Sequence, residues 1–147
     1  KLLPESVEYP ILIMNGDVLT DLNFENFYKD HIENNRNFTI SSKCRNEKID
    51  YGVLEIDNNA FLKNFKEKPS VEFEVSMGIY MMHKSMLNFI PDDSYYGFDS
   101  LMLDLLKAKK GVKVKNHNGY WLDIGRPDEY IKATEEFEDK KSIFLDD

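Results

Sequence analysis

Glycine never clusters in this chain. The seven glycines, at positions 16, 52, 78, 97, 111, 119 and 125, all stand more than four positions apart. That excludes the glycine-rich loop with which many proteins cradle phosphates at a helix N-terminus. Cysteine is nearly missing. Cys44 is alone, so no intrachain disulfide can form, and a reducing, cytoplasmic setting is expected. No apolar run approaches the roughly 18–20 residues that span a bilayer, and no secretory leader is visible. Positive charge is not in excess either. The formal net charge is −8, so nucleic acid and anionic membrane, which both need basic patches, are not expected as partners. Phosphate substrates remain open, because a divalent cation reverses the local sign. The three histidines, His31, His83 and His117, are scattered, and no Ser/Cys–His–acid arrangement can be placed, which speaks against a hydrolase.

What is present reads as one α/β domain over 1–147. The chain opens on Lys1-Leu2-Leu3-Pro4 without an initiator Met, as expected of a piece excised from a longer protein. Pro10 to Met14 is a continuous apolar run ended by Asn15-Gly16-Asp17. It predicts a buried, parallel strand with a carboxylate at its C-terminal end. Phe24, Phe27, Tyr28, His31 and Ile32 share helical spacing, with Asn23 as N-cap and Asn34-Asn35 as the stop. Phe38 to Cys44 alternates as a strand. Tyr51 to Ile56 and Ala60 to Phe65 flank Asp57-Asn58-Asn59 as a hairpin. Val75 to Met82 is a strand interrupted by Gly78, and Lys84 to Ile90 a short helix. Asp99 or Ser100 is the expected cap of a helix through Lys110, with Gly111 at C′. Short strands follow at Val112 to Val114 and at Tyr120 to Ile124. A last helix from Pro127 is expected to bury Tyr130, Ile131 and Phe137, ahead of an acidic, polar tail near Glu138.

Several residues carry chemistry, and each has a plainer alternative. Asp17 follows an apolar strand, where α/β sheets place ligand groups; Asn-Gly-Asp is equally good turn chemistry. Asp123, between Leu122 and Ile124, is costly to bury unless paired or metal-bound; it also suits a turn or helix cap. Together they make a pair of carboxylates of the kind that, with substrate phosphates, holds Mg²⁺. In Glu67-Lys68-Pro69 the lysine suits a phosphate and the glutamate suits sugar hydroxyls; the alternative is a solvated charge pair beside a turn.

Taken in order, Asn15-Gly16-Asp17, Tyr51-Gly52-Val53, Glu67-Lys68-Pro69, Ser76-Met77-Gly78-Ile79-Tyr80 and Tyr120-Trp121-Leu122-Asp123-Ile124-Gly125 resemble the sugar-1-phosphate nucleotidyltransferases. The flavour is that of mannose-1-phosphate guanylyltransferase and of related glucose- or hexosamine-1-phosphate enzymes. The match runs from about Leu3 to about Phe137. The resemblance implies a Rossmann-like, GT-A-like α/β sandwich with a mixed sheet, lacking its N-terminal nucleotide-binding half, and an activity joining a nucleoside triphosphate to a sugar 1-phosphate with Mg²⁺. It implies Asp17 and Asp123 as metal ligands, with Gly52, Glu67, Lys68 and Ser76 as substrate-binding residues. Ser76 stands where many members have a sugar-contacting Asn, and a hydroxyl makes fewer bonds than an amide. Arg126 stands where a Thr is frequent. The G-x-G-T-x-x-R-type loop that opens the family is not in these residues. The isolated piece is therefore expected to be inactive, and to self-associate or pair with a missing N-terminal part through an exposed sheet edge. The competing readings are a GT-A glycosyltransferase, whose Asp-x-Asp motif is not found here, and a sugar-phosphate-binding regulatory homologue.

Overall fold

The computed structural model describes residues 8–125 and 127–145; Arg126 and the residues before Glu8, Leu3 among them, lie outside the described residues. The order is β1 (Ile11–Met14), β2 (Val18–Thr20), α1 (Phe24–Glu33), β3 (Phe38–Lys48), β4 (Val53–Ile56), β5 (Leu62–Lys66), β6 (Ser70–Met82), a 3₁₀ helix (Lys84–Phe89), α2 (Phe98–Lys107), β7 (Val112–Asn116), β8 (Trp121–Asp123) and α3 (Pro127–Phe144). A four-stranded sheet runs β1-β6-β3-β7, and β2-β8 and β4-β5 form two-stranded sheets. Only the β3–β7 pairing is parallel within the four-stranded sheet.

The central strands β3 and β6 divide the core between two faces, because successive strand residues point to opposite sides. Tyr80 and Met82 join Phe38, Met86, Leu101 and Leu105 under α2 and the 3₁₀ helix. Met77, Ile79 and Met81 join Phe27 of α1, with Trp121 and Val18 packed against them. Helix α1 forms as its spacing predicts: the Asn23 side chain accepts from the Asn26 amide at 2.7 Å, and Asn34 is the C-cap.

Between the two faces the strands fall out of step. Ile40 pairs with Tyr80 and Ser42 with Ser76, so β3 uses one residue, Ser41, where β6 uses three. This bulge needs Gly78, whose φ is +75°, a conformation that costs other residues a clash with Cβ. The three carbonyls at the bulge are all satisfied. Met77 O accepts from Trp121 Nε1 at 3.0 Å, Gly78 O from the Asn15 amide at 2.9 Å, and Ile79 O from the Ser41 hydroxyl at 2.8 Å.

Four sequence expectations are corrected. Strand β1 is antiparallel to β6 and, among the described residues, lies at the sheet edge. Ile11 and Ile13 pack inward while Leu12 and Met14 stay 44% and 40% exposed; nothing described covers its other face. Helix α2 starts from Gly97, with no side-chain cap, rather than from Asp99 or Ser100. It ends in a Schellman motif with Lys109, not Gly111, in the left-handed conformation: Lys110 N–H donates to Leu105 O and Lys109 N–H to Leu106 O. Helix α3 leaves Tyr130 and Ile131 exposed and runs on through the expected tail to Phe144. It docks instead on Tyr120, through a Tyr120–Glu136 hydrogen bond, Lys140 over the Tyr120 ring and an edge contact with Phe144. Strand β2, three residues long, was not expected at all.

Gly78→Ala should lower the unfolding free energy by at least about 1–2 kcal/mol, the cost of the left-handed backbone, since the added Cβ would also sit 2.7 Å from Asn15 Nδ2. Gly16→Ala, with open space around it, should cost less. Urea denaturation of both decides, and equal midpoints would remove the bulge from its structural role.

Candidate functional site

Asp17 and Asp123 come from different strand ends that one ladder brings together. Val18 pairs with Asp123 across the β2–β8 ladder, and the Ile124 amide donates to Asp17 O at 2.8 Å. Gly125 reports how close the carboxylates are: a Cβ there would lie 3.0 Å from Asp17 Oδ2 and 3.1 Å from Asp123 Oδ1. Both acids thus flank the same glycine. The turn role exists beside the functional one, since Asp123 Oδ1 also accepts from the Gly125 amide at 3.1 Å. Among the described residues no third acid, histidine or cysteine completes a metal cage. Two oxygen donors fit a Mg²⁺ ion, which usually takes one or two carboxylates and fills its shell with water and substrate phosphate.

The hairpin carries a second grouping. The Glu67 carboxylate lies against Gly52, where an added Cβ would be 3.3 Å from Glu67 Oε2 and 2.6 Å from the Phe65 ring. Lys68 follows with φ of 42°, a left-handed backbone that costs a lysine of order 1–3 kcal/mol and is often kept where a side chain must be aimed. Its ammonium has no ion-pair partner among the described residues. No hydrogen bond or ion pair joins Glu67 or Lys68 to the aspartates among the described residues. Ser76 belongs to a third place: its hydroxyl donates to Tyr80 Oη at 3.0 Å and accepts from the Gly78 amide at 3.3 Å, on the face that packs α2.

Five residues that support the site, Trp121, Arg45, Asp21, His117 and Lys43, were given no role by the sequence. Trp121 is pinned to the bulge by its indole N–H and carries the Arg45 guanidinium 4.9 Å from its ring centroid. Asp21 and His117 bond at 2.6 Å, and Lys43 donates to Gly119 O at 2.6 Å. These contacts hold the loop that delivers Trp121 and Asp123. Asp21 and His117 are 96 positions apart, and no local pattern pairs them. Partial burial pushes the Asp21 carboxyl up, but hydrogen bonds from the Tyr120 amide and from His117 outweigh it, and its pKa lies below the ordinary value. His31, expected on a helix face, is buried, with Nδ1 on Thr39 Oγ1 at 2.9 Å. Burial first, then Arg36 and His83, hold its pKa below the ordinary value. It borders a concavity of about 520 Å³ with His83 and Tyr9, at the start of β1 and thus at the other end of the sheet from the aspartates.

A depressed Asp21 pKa means that its share of stability is present above the usual carboxylate pKa and fades as pH falls through the lower folded value. Stability should therefore drop below about pH 4, and Asp21→Asn should flatten that part of the profile. Parallel pH profiles of wild type and variant in urea would refute this.

The chain is similar to known proteins over most of its length. The family model described as "Nucleotidyl transferase" matches residues 2–140. A mannose-1-phosphate guanylyltransferase catalytic subunit beta from Drosophila melanogaster is 27% identical over 124 residues, covering 83% of this chain and 33% of that protein. A UTP–glucose-1-phosphate uridylyltransferase from Synechocystis is 30% identical over 129 residues, again 83% and 33%. The chain thus spans about a third of the length of the curated relatives it matches. Among solved structures, HddC from Yersinia pseudotuberculosis complexed with GMP-PN is similar at a TM-score of 0.60 and 25% identity, over 90% of this chain and 56% of that one. The α/β fold with a mixed sheet is the fold of these neighbours.

Proposed function

Because the chain belongs to the nucleotidyl transferase family, we propose that it forms the sugar-phosphate- and metal-binding part of a sugar-1-phosphate nucleotidyltransferase. The reaction transfers a nucleotidyl group from a nucleoside triphosphate to a sugar 1-phosphate and releases pyrophosphate. The observation that carries this reading is the convergence of Asp17 and Asp123 on Gly125. The names of the relatives, which act on mannose 1-phosphate and glucose 1-phosphate, support the substrate class.

In this reading Asp17 and Asp123 hold Mg²⁺. When bound, the ion would supply charge neutralisation and hold the reacting phosphates together. The chain's own residues position the acceptor. Gly52 lets backbone approach the sugar, Glu67 accepts from its hydroxyls, and Lys68 meets its phosphate. The phosphate oxygen of the sugar then forms its bond to the α-phosphorus as the bond to pyrophosphate breaks. Little covalent chemistry falls to the protein; positioning of this kind is worth roughly 7–11 kcal/mol. These 147 residues carry no glycine-rich triphosphate loop, so turnover needs that part from elsewhere in the intact protein.

In the intact protein, pyrophosphate release should need a nucleoside triphosphate, a sugar 1-phosphate and Mg²⁺ together. Asp123→Asn should lower kcat by about 10²-fold or more, as removal of one charge-stabilising group does. Lys68→Ala should raise KM for the sugar phosphate more than for the triphosphate. Full metal-dependent activity in the Asp123 variant would sink the metal assignment, and equal KM effects would sink the role of Lys68.

A further inference from the structure

Strand β3 presents two cations on one face. Lys43 and Arg45 alternate with Cys44, and both reach the segment that leads into β8. Lys43 is engaged, donating to Gly119 O at 2.6 Å. Arg45 is held but not paired. Its guanidinium lies 4.9 Å from the Trp121 ring centroid, and it has no ion-pair or hydrogen-bond partner among the described residues. Stacking occupies the face of a guanidinium and leaves its five in-plane N–H donors free.

Its place is what gives those donors meaning. Trp121 cannot drift, because its indole N–H is bonded to Met77 O at 3.0 Å and its backbone pairs with Thr20. Asp123 is two residues on and shares the Trp121 side of the strand, roughly 7 Å along. In a chain of net charge −8, an arginine has many carboxylates with which to pair. Arg45 instead remains open, in a position fixed by the ring beneath it, where its fork matches the geometry of a phosphate.

We propose that Arg45 is a phosphate-binding residue of this site, gripping the phosphate monoester of the sugar 1-phosphate from the Trp121 side while the Asp pair holds the metal. This rests on the nucleotidyltransferase reading and adds to it a second cation, besides Lys68, for the acceptor phosphate. The alternative is that Arg45 only covers the indole.

Trp121 is the one tryptophan of the chain and lies directly under Arg45, so its fluorescence reports the site. The 147-residue chain is titrated with inorganic phosphate, with glucose 1-phosphate and with a non-hydrolysable nucleoside triphosphate, each with Mg²⁺. A saturable change in Trp121 emission is expected with the first two. Arg45→Gln should weaken both affinities at least about 10-fold with Tm unchanged, and Arg45→Lys should recover part of the loss. Unchanged affinity in Arg45→Gln, no response of the wild type to either phosphate, or a loss confined to the triphosphate would each overturn the assignment. A parallel Mg²⁺ titration of Asp123→Asn separates the two levels. If Mg²⁺ affinity depends on Asp123 while Arg45→Gln binds phosphate as wild type does, the enzyme reading stands and Arg45 falls. If Mg²⁺ affinity ignores Asp123, both fall.

Discussion

The bulge in β6 is the constraint on which the site depends. It uses three residues, Met77, Gly78 and Ile79, where β3 uses one, and their carbonyls find partners outside β3's regular ladder with β6. Buried carbonyls need partners, and the partners chosen are the ones that position the acids. The Asn15 amide, two residues ahead of Asp17, takes Gly78 O. The Trp121 indole, two residues ahead of Asp123, takes Met77 O. One irregularity in a central strand thus fixes the approach of both carboxylates. The missing Cβ of Gly78 is what lets Asn15 lie against it.

A second layer of contacts keeps the loop before β8 in place. Lys43 and the Asp21–His117 pair grip it from β3 and from the end of β2. The Thr20 hydroxyl and the Asp21 amide both donate to Tyr120 O, and α3 closes over the Tyr120 ring. These are polar contacts in a partly wet region, individually modest. Their combined effect is to carry Asp123 to Asp17, and Gly125 leaves room for the two acids to meet. The hairpin β4–β5 is different. It is a separate two-stranded sheet with Leu54, Phe61 and Phe65 exposed, and a two-stranded hairpin is marginal by itself. Glu67 and Lys68 therefore ride on a less firmly packed element than the aspartates do.

The readable parts of this chain were those governed by local rules. Asn23 and the spacing of Phe27 and His31 specify α1, because helix neighbours lie three and four residues apart. The Asp57-Asn58-Asn59 turn specifies the hairpin, with Asp57 Oδ1 accepting from the Asn59 and Phe61 amides. Local rules failed where burial depended on a distant partner. The apolar run of β1 read as doubly buried, yet only Ile11 and Ile13 have cover. Tyr130 and Ile131 read as core residues, yet α3 turns a different side toward Tyr120. Gly111 read as the helix stop, yet the left-handed position fell on Lys109 two residues earlier, where Lys110 could still reach Leu105.

By itself, then, the sequence determined the α/β class, most of the elements, the strand-end position of Asp17 and Asp123, and the order of motifs that marks the family. All of these follow from periods of two or 3.6 residues and from residue types at element ends. The tertiary structure alone decided how the two acids are brought together, which face each strand residue takes, and which cation is left open beside Trp121. Those facts turn on the register between strands far apart in the chain. In this protein the register is shifted by a bulge whose only trace in the sequence is one glycine, Gly78.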